Sequence, residues 1–188
     1  MKHITTVALM LNLGVAGIYA QQNVKMMFSG TGGTSTINLQ QPNTNNSEDN
    51  SAGNGTLGSF TFRNVRAIRA TPEPSSTCSG PNQIYFSSVA GAGVFRFQDG
   101  GLLKVNLTGG SDCIDLAAQQ AQCIRIFQIT GGTGRFKDAS GNGVTLTMTL
   151  VPVLADASSN PVFFAITGEF TGTVSGVAID AGPQDARR

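Results

Sequence analysis

The chain has 188 residues, with 12 Lys and Arg against 11 Asp and Glu, one His and no Trp, and only 12% of its residues are charged. A chain this close to neutral lacks the basic field that nucleic acid or an anionic membrane surface requires as a partner. Its one histidine, His3, lies in a segment read below as a removable leader. A Ser-His-Asp triad, a Cys-His pair and a His-ligated metal site are therefore excluded from the mature protein, and no cofactor or metal is expected.

Residues 1–20 begin with Lys2 and His3, continue through the apolar "ITTVALMLNLGVAGI" and end at Tyr19-Ala20 before "QQNVK". That is the pattern of a secretory signal peptide, too short and too weakly flanked for a spanning helix. The mature chain is expected to begin near Gln21 and to be secreted or periplasmic. About 168 residues remain, enough for one domain with its own core. Their short apolar runs, separated by Gly, Thr, Ser and Asn, predict an all-β protein, with residues 21–188 as a single domain.

Along the chain, "QQPNTNNSEDNSAGNG" at 40–55 is polar and apolar-poor and carries Pro42, which predicts a long mobile loop. "VFRFQ" sets Phe95 and Phe97 against Arg96 and Gln98, and "LLKVNLT" sets Leu103, Val105 and Leu107 against Lys104, Asn106 and Thr108. "CIRIFQI", 123–129, is apolar on both faces apart from Arg125 and Gln128, which asks for a cover over its outward side. "VTLTMTL", 144–150, alternates without error, with Val144, Leu146, Met148 and Leu150 on the dry face. In "FFAITGEFTGTVSG", 163–176, Gly168, Gly172 and Gly176 share a side with Phe164, Ile166, Phe170 and Val174; glycines on an inner face let a strand coil as barrel closure requires.

Between two of these strands stands "ITGGTGRFKDASGNG", 129–143. A dinucleotide-binding loop would need a third glycine where Lys137 stands and a helix after it, to hold the pyrophosphate at its N-terminus. Here an alternating strand follows instead. The run therefore reads as a turn between strands, with Gly131, Gly132 and Gly134 supplying positive φ and Phe136 tucking inward.

These same residues resemble the glycine-rich hairpin of the allene oxide cyclase and dirigent β-barrel superfamily, in which a GGTGxF turn precedes an A-x-G element, here Ala139, Ser140 and Gly141. "ITGEFTGTVSG" is similar to the glycine-spaced closing strand of bacterial members, and "GNGTLGSFTF", 53–62, to their early LGxFT element. The resemblance implies a closed antiparallel barrel of about eight strands, often a homotrimer. Dirigent proteins commonly place an arginine in the middle of the A-x-G element. Ser140 stands there in this chain, a departure from the dirigent pattern, and no catalytic residue of the cyclase is carried over.

Cys113 and Cys123 bracket nine residues between two strand signals, so a bond between them would clamp the base of a hairpin, leaving Cys78 over. Pairing of Cys78 with either of the others is the rival arrangement.

Arg125 and Glu169 are the ionisable candidates for a ligand site, with Met148, Phe164 and Ile166 as its apolar lining. A cavity Arg-Glu pair would orient the polar end of an apolar ligand or stabilise charge during a cyclisation. The plainer alternative, which the surrounding threonines favour, puts Glu169 on a solvated outer face and lets Arg125 snorkel to a rim. Two functional classes follow. One is a secreted barrel that binds a small apolar ligand or a protein partner, or is purely structural. The other is a cofactor-free cyclase or isomerase. Membrane insertion as an outer-membrane barrel is disfavoured by the missing Trp, the scarce Tyr and the polar "DAGPQDARR".

Overall fold

The computed structural model describes residues 21–178. The expected signal peptide at 1–20 lies outside the described residues. Eight strands, β1 (Gln22–Thr34), β2 (Thr44–Gly55), β3 (Phe60–Arg69), β4 (Gln83–Phe97), β5 (Leu102–Asp115), β6 (Gln120–Gly132), β7 (Gly141–Ala155) and β8 (Pro161–Val174), form a closed antiparallel barrel. Each strand pairs with its neighbours in sequence, and β1 closes the ring against β8 from Gln22↔Val174 to Gly33↔Phe163. Closure leaves no sheet edge unpaired.

Residues 44–55 form a strand, not the mobile loop expected from their polarity. β2 pairs with both β1 and β3, so its backbone groups are satisfied on two sides although it has few apolar side chains to bury. Its inward positions carry Asp49 and Ser51, both buried. Among the described residues, none covers the outward side of β6. Ile124 and Ile126 point out of the barrel and stay 49% and 42% exposed, while Cys123, Arg125, Phe127 and Ile129 point in.

The barrel has two unlike ends. At the glycine-turn end, residues 56–59, 98–101 and 133–140 join β2 to β3, β4 to β5 and β6 to β7; at the other, the long-loop end, residues 35–43 and 70–82 are the longest links. The glycine-turn half is filled by phenylalanine. Phe62 and Phe95 have ring centroids 4.2 Å apart, Phe95 and Phe170 4.8 Å, and Phe28 and Phe170 4.9 Å, in tilted and edge-to-face arrangements. Burying each such ring contributes about 2 to 3 kcal/mol relative to leaving it in water.

The segment 129–143 seals this end as a turn. A single 3-10 turn, Gly134–Phe136, follows β6, and Phe136 is fully buried with its ring 4.5 Å from that of Phe97. Gly131 and Gly134 have φ of +113° and +60°. Gly132 is required for a different reason, since a Cβ there would stand 2.1 Å from the Leu102 carbonyl oxygen. Arg135 closes over the turn: its guanidinium lies 4.5 Å from the Phe136 ring centroid, its Nε is 2.7 Å from Asp99, and its Nη2 donates to the Leu57 carbonyl.

The disulfide joins Cys78 to Cys113, not Cys113 to Cys123. Register decides this. Asp112 pairs with Cys123 and both face the interior, which turns Cys113 outward toward the 70–82 loop that carries Cys78. Cys123 is a free, buried thiol.

Candidate functional site

Following the inward positions toward the long-loop end, the lining changes from apolar to polar on several strands at once. On β3 the series runs Phe60, Phe62, Asn64, Arg66; on β2 it runs Gly53, Ser51, Asp49; on β6 it runs Phe127, Arg125, Cys123. Asp112 joins them from β5. Two arginines and two aspartates thereby meet inside the barrel, at 2% exposure or less for Arg66, Asp49 and Arg125 and 6% for Asp112.

They form two ion pairs. Arg66 Nη2 lies 2.6 Å from Asp112 Oδ2, and Arg66 Nη1 donates to Ser88 Oγ at 3.0 Å. Arg125 Nη1 donates to Asp49 Oδ2. Inward glycines give these side chains their space: a Cβ at Gly32 would stand 2.5 Å from Asp49 Oδ1, one at Gly91 3.0 Å from Arg66 Cβ, and one at Gly110 3.3 Å from Arg125 Cγ.

The pairs leave much of their hydrogen-bonding capacity unused. Asp49 Oδ1, Asp112 Oδ1, Arg66 Nε, Arg125 Nε, Arg125 Nη2, Ser51 Oγ and both amide atoms of Asn64 are buried without a hydrogen-bond partner among the described residues. Buried polar atoms are normally paired, and a buried ion pair adds little net stability over an apolar filling. So many buried donors and acceptors without a protein partner set this layer apart from the apolar lining on either side of it.

The charge states of Asp112 and Arg66 are held firmly. Burial works against ionisation of Asp112, but the positive charges of Arg66 and Arg125 outweigh it and keep its carboxyl below the usual carboxylate range. Burial likewise lowers the pKa of Arg66, and the negative charges of Asp112 and Asp49 more than offset it, leaving the guanidinium more firmly protonated than usual. Burial, aided by the charge on Asp112, pushes the Cys123 thiol up, so it is neutral and a poor nucleophile. Neither Asp112, Arg66 nor Cys123 is poised to exchange a proton near neutral pH.

Beyond this layer, toward the long-loop end, the lining turns apolar again. The pairings Ile84↔Ile114, Ile114↔Ala121, Ala121↔Leu150 and Leu150↔Ile166 run round the wall as one inward row. Phe86 and Phe164 flank it, and Ile84, Phe86, Ile114 and Phe164 are only half-buried. The charged layer thus has packed phenylalanines on one side and a buried to half-buried apolar collar on the other.

Of the residues expected at a site, Arg125 is in the charged layer, fully buried, and does not snorkel to a rim. Met148, beside Cys123 in the register, and Ile166 are buried and inward, and Phe164 stands in the collar. Glu169 does not meet Arg125. It faces outward between Met27 and Thr147 and is half-buried on the outer wall, because it is odd-numbered on a strand whose even positions, Ile166 and Phe170, are the inward ones. Asp49, Arg66 and Asp112 were not singled out from the sequence. Arg66 had a readable signal, since it shares the face of Phe60 and Phe62 in "FTFRNVR"; Asp49 sat in a run read as a loop.

Among the described residues, no group of three or more His, Cys, Asp or Glu is arranged to hold a metal ion, and no helix is long and apolar enough to cross a membrane. What fold and site define together is a closed eight-stranded antiparallel barrel with a charge-balanced polar layer in its interior. The chain matches no protein-family model, and a search of curated proteins finds no match.

Proposed function

We propose that this protein is an exported binding barrel that takes up a small, mostly apolar molecule from the long-loop end and meets its polar end with the Arg66, Asp112, Arg125 and Asp49 layer. The observation that carries this reading is the set of buried, unpaired donors and acceptors in that layer, lying under an apolar collar. The disulfide, a bond that persists in oxidising compartments, supports export to the periplasm or the exterior, as does the N-terminal pattern. Binding is favoured over a cofactor-free cyclisation or isomerisation because Asp112 and Arg66 are locked in their charged forms, which suits holding a ligand more than moving its protons.

The test is titration of the purified protein with an apolar, environment-sensitive dye. Saturable binding, competed by medium-chain amphiphiles and lost in Ile166→Trp, which fills the collar, is the expected result; amphiphile binding should also raise the melting temperature. Dye binding indifferent to both competitor and substitution would overturn the reading.

A further inference from the structure

Resting on that reading, we infer that the polar end accepted by the barrel is a neutral hydroxyl-bearing group, not a carboxylate or an ammonium. The argument is one of charge and of unpaired atoms. Arg66 is matched by Asp112 and Arg125 by Asp49, so the layer is already neutral. An added anion or cation would enter a site shielded from water without a net countercharge, and its lost hydration would be compensated only in part.

The unpaired atoms point the same way. Arg66 Nε, Arg125 Nε and Arg125 Nη2 can only donate, Asp49 Oδ1 and Asp112 Oδ1 can only accept, and Ser51 Oγ can do both. A carboxylate would satisfy the donors and leave the aspartate oxygens repelled; an ammonium would do the reverse. A hydroxyl donates one hydrogen bond and accepts others, so it alone among the three serves both sets at once.

The experiment compares 1-decanol, decanoate and decylammonium at pH 8, which share a tail and differ in head charge, by competition against the dye and by thermal shift. Decanol is expected to bind about tenfold more tightly than either ion. Asp49→Asn, which leaves the layer with one net positive charge, should narrow or invert the preference of decanol over decanoate. Ser51→Ala, which removes a neutral partner and no charge, should weaken decanol about threefold. Should Asp49→Asn fail to fold, Ser51→Ala still decides. Decanoate or decylammonium binding as tightly as decanol, or decanol affinity unchanged by Ser51→Ala, would overturn the inference while leaving the binding barrel standing. Failure of all three probes to bind would remove the binding reading and the inference with it.

Discussion

Arg66 on β3 reaches past β4 to Asp112 on β5, closing a 2.6 Å ion pair between strands that share no hydrogen bond. Gly91 on the intervening strand makes the crossing feasible, since a Cβ there would stand 3.0 Å from Arg66 Cβ. The pair therefore ties together three strands of the wall from inside, and its loss would be felt as lost stability as well as an altered site.

Asp112→Asn should cost about 3 to 5 kcal/mol at pH 7, because it leaves the buried Arg66 charge without its partner. The pH dependence has a definite sign. The folded-state pKa of Asp112 is depressed, so its contribution is complete above the unfolded carboxylate range, about pH 4, and is lost as pH falls through the lower folded value. Urea unfolding of wild type and variant at pH 7 and at pH 3 should show the gap between them narrowing in acid. An unchanged gap would refute the assignment.

Removing Arg125 alone should be worse than removing it together with its partner. Arg125→Met strands the carboxylate of Asp49 in the barrel, at about 3 to 5 kcal/mol, whereas Arg125→Met with Asp49→Leu replaces a buried pair by apolar side chains and should recover most of that loss. Denaturant midpoints of the two variants, measured side by side, check this. A double variant no more stable than Arg125→Met would mean that the two side chains do not act as a pair.

The disulfide makes a covalent prediction. Non-reducing peptide mapping should link Cys78 to Cys113 and leave Cys123 as a free thiol that alkylates only after unfolding, being fully buried and held protonated. The bond spans 35 residues, so replacing Cys78 and Cys113 by Ser should destabilise the barrel by about 4 kcal/mol. A Cys113 to Cys123 linkage in the map would contradict the register of β5 and β6.

The all-β class, several strands and the glycine-rich turn were legible in the sequence because they depend on short-range features. In 144–150 the alternation alone says which side chains share a face, and the glycines of 129–143 announce a change of direction whatever surrounds them. Strand β2 was not legible. Its polar residues carry no apolar period, and they form a strand only because β1 and β3 offer hydrogen bonds on both sides. The site was hidden for a related reason. Alternation places Arg125 on the face of Phe127 and Arg66 on the face of Phe62, yet it cannot say that these faces look at one another, or that Asp49 and Asp112 arrive opposite them from other strands. Glu169 faces away from Arg125 by the alternation of its own strand, whereas Cys113 and Cys123 fell on opposite faces of a pair because register between strands is set by ring closure over the whole chain. Local pattern decides which way a side chain points relative to its neighbours, and only the closed barrel decides what it points at.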